Sequence, residues 1–110
     1  MKRLLPILIA CALAAGACTS PFFDAAIASV HQTCNEQSVS TRDVTAARES
    51  ERHLECERTR STEDCTPIPE GAKWIRTDAC HHSQRWLCQN PGDGRIHCEP
   101  DTAAVADETP

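Results

Sequence analysis

The chain has 110 residues, a formal net charge of −5 at pH 7, and aromatic residues make up only 4% of it. That length allows one small domain, and the acidic balance argues against nucleic acid and anionic headgroups as partners. Large apolar residues are too sparse to hold a fold by burial alone, so the eight cysteines become the main structural resource.

The chain opens on the basic Met1-Lys2-Arg3, runs without charge from Leu4 to Ala15, and reaches the small residues Ala15-Gly16-Ala17 before Cys18. A basic start, a short apolar run and small residues at the cut read as a secretory signal, too short to span a bilayer. Ala15-Gly16-Ala17-Cys18 resembles the lipobox of bacterial lipoproteins, in which the cysteine is acylated and becomes the first mature residue. The resemblance implies a signal peptide over 1–17, a lipidated tether over 18–21 and residence in the cell envelope, with membrane contact through the lipid. Thr19 after the cysteine further implies sorting to an outer membrane. Two alternatives stand beside it. Leu8-Ile9-Ala10-Cys11 has the better local letters but leaves an apolar run of only about seven residues, and cleavage after Ala17 without acylation leaves Cys18 as an extra thiol. Removing Lys2 and Arg3 makes the exported part more acidic still.

With Cys11 removed and Cys18 lipidated, Cys34, Cys56, Cys65, Cys80, Cys88 and Cys98 remain. An even set in a small exported chain implies three disulfides. Each contributes about 2–4 kcal/mol, which offsets the conformational entropy that so small a core leaves uncovered.

From Phe22 to Thr66 there is neither glycine nor proline, and the segment reads as two helices. Phe23, Ile27, Val30 and Cys34 fall on one face of the first, which starts near Phe22. The second is expected from Arg42 to about Arg60, with Ser40 and Asp43 as a capping box and Val44, Ala47 and Leu54 as its buried stripe. Glu49–Arg52, Glu55–Arg58 and Glu57–Arg60 are Glu-first pairs on its surface. Cys56 lies about 200° around from Leu54, so its bridge requires either a loosened helix or a second clamped face. Antiparallel packing of the two helices disfavours a Cys34–Cys56 bridge.

After Pro67 the breakers return, and the chain reads as turns and short strands. Runs 84–89 and 95–99 flank Asn90-Pro91-Gly92-Asp93-Gly94, a β-hairpin pattern. Centring the turn on Asp93 sets Cys88 opposite Cys98 and Trp86 opposite Pro100, which makes Cys88–Cys98 the best-defined bridge. The pairing of Cys34, Cys56, Cys65 and Cys80 stays open. Residues 101–110 form an acidic, alanine-rich tail without a core pattern. The expected fold is thus α+β: a small disulfide-stabilised domain over 22–100, an N-terminal helical pair plus a C-terminal β-hairpin.

Cys80-His81-His82 and His97-Cys98 carry metal-ligand letters, and His81, His82 and His97 form the alternative reading, a periplasmic metal-binding module. Cys-x2–4-Cys spacing is missing, and adjacent histidines on a strand point to opposite faces. No nucleophile is placed beside a base by any motif, and the interleaved Glu and Arg of the second helix read as a solvated face. The sequence-based expectation is a non-catalytic, membrane-anchored envelope lipoprotein without cofactor. It binds or excludes a protein near the membrane, as an inhibitor, immunity or entry-exclusion factor.

Overall fold

The computed structural model describes residues 20–103, which place seven elements in the order α1 (Ser20–Val30), β1 (Ser40–Asp43), α2 (Thr45–Thr59), α3 (Thr62–Cys65), β2 (Lys73–Ala79), β3 (His82–Gln89) and β4 (His97–Pro100). Cys11, Cys18 and residues 104–110 lie outside the described residues. The strands form one antiparallel sheet in the order β1-β2-β3-β4. The fold is a small, mixed α+β domain with three disulfides.

Strand alternation separates two unlike faces. Ile75 pairs with Trp86, and Thr77 with Gln84, on one face; Trp74 pairs with Leu87, and Arg76 with Arg85, on the other. The first face carries the apolar core of Ala26, Ile75 and Cys88, with Phe22, Phe23, Trp86, Ile96 and Cys98 packed around it. α1 lies on this face. Three alanines and a proline in the first turn favour the helix, and Ala26, with no exposed surface, lets it approach the sheet closely. It ends where the N–H groups of Thr33 and Cys34 both donate to Val30 O. Phe22 and Phe23, both partly buried, therefore pack against the sheet's core.

α2 covers the opposite face, so the two helices sandwich the sheet instead of pairing with each other. Ser40–Asp43, expected to cap the second helix, is instead strand β1 against Ile75–Asp78. The ladder continues to Val44, whose N–H donates to Trp74 O. Val44 takes the N-cap position without a side-chain cap bond, and Asp43 before it holds the first helical residue: Oδ1 accepts the Thr45 N–H at 2.9 Å and its hydroxyl at 2.6 Å. α2 stops at Arg60, which adopts φ 56° and donates its N–H to Cys56 O. Ser61 then caps α3 by accepting from Asp64 N at 3.1 Å.

The disulfides are Cys34–Cys80, Cys56–Cys65 and Cys88–Cys98. Cys88 lies opposite Cys98 and Trp86 opposite Pro100, the register expected from the Pro-Gly-Asp-Gly turn. Cys56–Cys65 staples α3 to a second face of α2, the option that leaves the helix intact. Cys34–Cys80 ties the end of α1 to the β2–β3 turn. That turn has two central residues, Cys80 at φ 52° and His81 at φ 58°, the left-handed pair that a type I′ hairpin needs. Neither is glycine, so the disulfide and the Glu36 carboxylate, which accepts the Cys80 N–H, hold a backbone that non-glycine residues disfavour.

Candidate functional site

α2 turns one of its arginines inward. Arg48 is 5% exposed and Arg85 of β3 is 0% exposed, yet neither sits in an apolar environment. Arg48 donates from Nε to Asp101 Oδ2 at 2.7 Å and from Nη2 to Oδ1 at 3.3 Å, a two-point clamp. Arg85 reaches the same carboxylate through Nε at 3.2 Å and Glu51 through Nη1 at 2.9 Å. Glu51 and Glu55 approach Arg48 Nη1 at 3.4 and 3.7 Å. Trp74 closes the cluster: its indole N–H donates to Glu49 Oε2 at 3.1 Å, and Arg48 lies 5.1 Å from its ring centroid. Burial pulls the Arg48 guanidinium down, but the hydrogen bond and charge of Asp101, aided by Glu55 and Glu51, outweigh it and hold the group above its ordinary value. Such a network contributes little net stability and much geometry, because each charge is costly away from its partner. It fixes the rotation of α2 about its own axis.

That rotation decides what α2 shows to solvent. Ala46, Ala47, Ser50 and Leu54 face outward, and Leu54 is 66% exposed, the exposed large hydrophobic side chain among the described residues. Glu49 and His53 edge a shallow depression against Leu54, Ala46 and Ser50. His53 Nε2 pairs with Glu57 Oε1 at 2.8 Å along the same edge. The stripe expected to be buried is the outer surface, except Val44, which is buried.

The other face of the sheet holds a concavity. α1 stops at Val30, short of the β2–β3 turn, and leaves a cleft of about 270 Å³ between helix end and hairpin tip. The Cys34–Cys80 bridge forms one wall, and Thr77, His82, Gln84 and Trp86 form the floor. The domain also has two ends. Lys73 Nζ lies 5.8 Å from the Phe22 ring at the start of α1, whereas the end of α1 is bonded to Cys80 at the hairpin tip. The cleft therefore lies at the end remote from residue 20.

The histidines do not converge. His81 and His82 occupy the hairpin tip, while His97 pairs with Gln89 at the far end of β3, about 23 Å along the strand. His97 Nε2 instead meets Asp93 Oδ2 at 2.7 Å. The metal-ligand types that do cluster among the described residues are Cys34, Glu36 and Cys80, with ligand atoms within 4.8 Å of one another. Their sulfurs are bonded to each other. His31 Nε2 is held at Glu36 O at 3.0 Å.

Sequence reasoning missed Arg48, Arg85 and Asp101 as a unit. Asp101 opens the acidic tail segment, yet its side chain is 5% exposed beneath α2, so the folded body extends past residue 100. One signal existed: Arg85 alternates with Leu87 on a strand whose other residues, Trp86 and Cys88, face the core. Comparison with protein-family models, curated proteins and solved structures finds no match for this chain.

Proposed function

We propose that the chain is a lipid-anchored envelope protein, acylated at Cys18, that acts without catalysis by binding a protein partner close to the membrane. The observation that carries the binding reading is Leu54: a large apolar side chain, 66% exposed, on a helix that buries Arg48 instead. A helix polar outside and apolar inside would serve a solitary domain better. The strip of Ala46, Ala47 and Ser50 around Leu54 is the surface that this reading gives to the partner.

The anchoring reading rests on the lipobox resemblance and gains a consequence from the fold. One residue, Thr19, separates Cys18 from the start of α1 at Ser20. An acylated Cys18 then holds the Lys73 end of the domain at the bilayer and directs the hairpin tip away from it. The partner is within one domain length of the membrane, as suits an inhibitor, immunity or entry-exclusion factor.

Two substitutions test the two halves. Cys18→Ser should abolish fatty-acid labelling and release the exported protein from membranes; unchanged labelling and retention would sink the anchor. Leu54→Asp should leave membrane retention and thermal midpoint unchanged while abolishing the partner interaction. An interaction that survives Leu54→Asp places docking elsewhere.

A further inference from the structure

The cleft at the hairpin tip has chemistry of its own. Apart from the His82 imidazole, its polar side chains have largely spent their donors. The Trp86 indole N–H is held by Thr77 Oγ1 at 2.9 Å, and the Thr77 hydroxyl in turn donates to Gln84 O at 3.4 Å. The Gln84 amide donates to Arg85 O at 2.8 Å and Asp101 O at 3.3 Å. The Thr33 hydroxyl donates to Val30 O at 3.4 Å. What these side chains turn to a visitor is acceptor oxygen and the indole surface of Trp86.

The surroundings point the same way. The cleft opens beside the C-terminal end of α1, where the helix dipole is negative and no basic residue stands in the last turn. Glu36, whose carboxylate accepts the Cys80 N–H, lies behind the disulfide in the neighbouring depression, and the whole chain is acidic. A space of about 270 Å³ is large enough for one long side chain and too small for most whole ligands.

From these features we infer that the cleft is a receptor for one cationic side chain, lysine or arginine, presented by a partner protein. The ammonium or guanidinium donates to Gln84 Oε1 and Thr33 Oγ1, its stem lies along Trp86 and Val30, and its charge faces the end of α1. That the side chain comes from a protein rests on the reading above; the preference for a cation does not.

The test uses free probes and the purified, disulfide-intact chain. Nα-acetyl-lysine amide, followed by the NMR signals of the Trp86 indole and the Gln84 amide, should give a saturable shift. Its neutral counterpart, Nα-acetyl-norleucine amide, should bind at least about tenfold more weakly. Gln84→Lys removes the acceptor and adds a charge, and should abolish lysine-probe binding in a chain that still melts cooperatively. Should Gln84→Lys fail to fold, Thr33→Lys on the exposed rim serves in its place with the same expectation. Equal affinity for the two probes, or full binding by a folded lysine variant, overturns the proposal. Leu54→Asp should bind the probe as the parent does, so failure of docking at α2 and failure of the cleft are read separately.

Discussion

Arg48 and Asp101, fifty-three positions apart in the chain, meet at 2.7 Å with side chains 6% and 5% exposed. This contact joins the residue that follows β4 to the inner face of α2, and Arg85, which shares the same carboxylate, joins both to the sheet.

Removing the shared carboxylate leaves two buried guanidinium groups to the partly exposed Glu51 and Glu55. Asp101→Ala should therefore cost about 3–5 kcal/mol, the range for breaking a buried pair from one side. The triple replacement of Arg48, Arg85 and Asp101 by Met, Met and Leu should recover much of that loss. Denaturant unfolding of the single and triple variants checks both statements.

The disulfides should differ in worth. Cys34–Cys80 closes a segment with a sequence separation of 46 and Cys56–Cys65 one of 9. Loop-closure entropy gives about 4 kcal/mol for the first and about 2.6 for the second. Paired alanine variants of each bridge, compared in urea, should preserve that order. Cys88 is fully buried, so Cys88–Cys98 should be the last bridge reduced when dithiothreitol is raised stepwise and the thiols are trapped and mapped.

Acid should destabilise the fold in a defined window. Burial pushes the Asp78 carboxyl up, but the Ser83 hydroxyl and Arg76 outweigh it and hold the group below its ordinary value. Asp64, through the hydroxyls of Thr59 and Ser61, and Asp93, through the Arg95 backbone N–H and His97, are lowered as well. A depressed folded pKa means that the unfolded chain takes up the proton first as pH falls. The stabilisation is present above about pH 4 and is lost below it. Unfolding midpoints measured from pH 6 to pH 2 should fall below about pH 4, and Asp78→Asn should flatten the slope.

The short tether gives a fourth expectation. Inserting about twenty Gly/Ser residues between Cys18 and Ser20 should leave acylation and melting unchanged. If proximity sets the encounter with the partner, the insertion should weaken the interaction in cells by lowering effective concentration. Co-purification from membranes of extended and parent proteins measures it; equal yields would make the tether incidental.

What the sequence made legible were the local features. The turn residues Asn90-Pro91-Gly92-Asp93-Gly94 and the strand period specify the pairing of Cys88 with Cys98, because both act within about a dozen residues. The apolar spacing of α1 likewise located a packed face, although the face centres on Ala26 and Val30 more than on Ile27. β1 was hidden because Ser40-Thr41-Arg42-Asp43 carries capping letters, and its partner strand begins some thirty positions later. The rotation of α2 was hidden for a related reason. Helical periodicity sees Leu54 as apolar and Arg48 as polar, but the counter-charge that makes Arg48 the better buried residue comes from Asp101, fifty-three positions away, with Glu51 and Glu55 beside it.

The most direct test of the account is photocrosslinking in living cells with a photoreactive residue at position 54. A second copy of the experiment carries it at Glu99, exposed on β4. The account predicts one discrete envelope adduct from position 54, none from position 99, and loss of the adduct when Cys18→Ser frees the domain from the membrane. No adduct at position 54, or the same adducts from both positions, would contradict it.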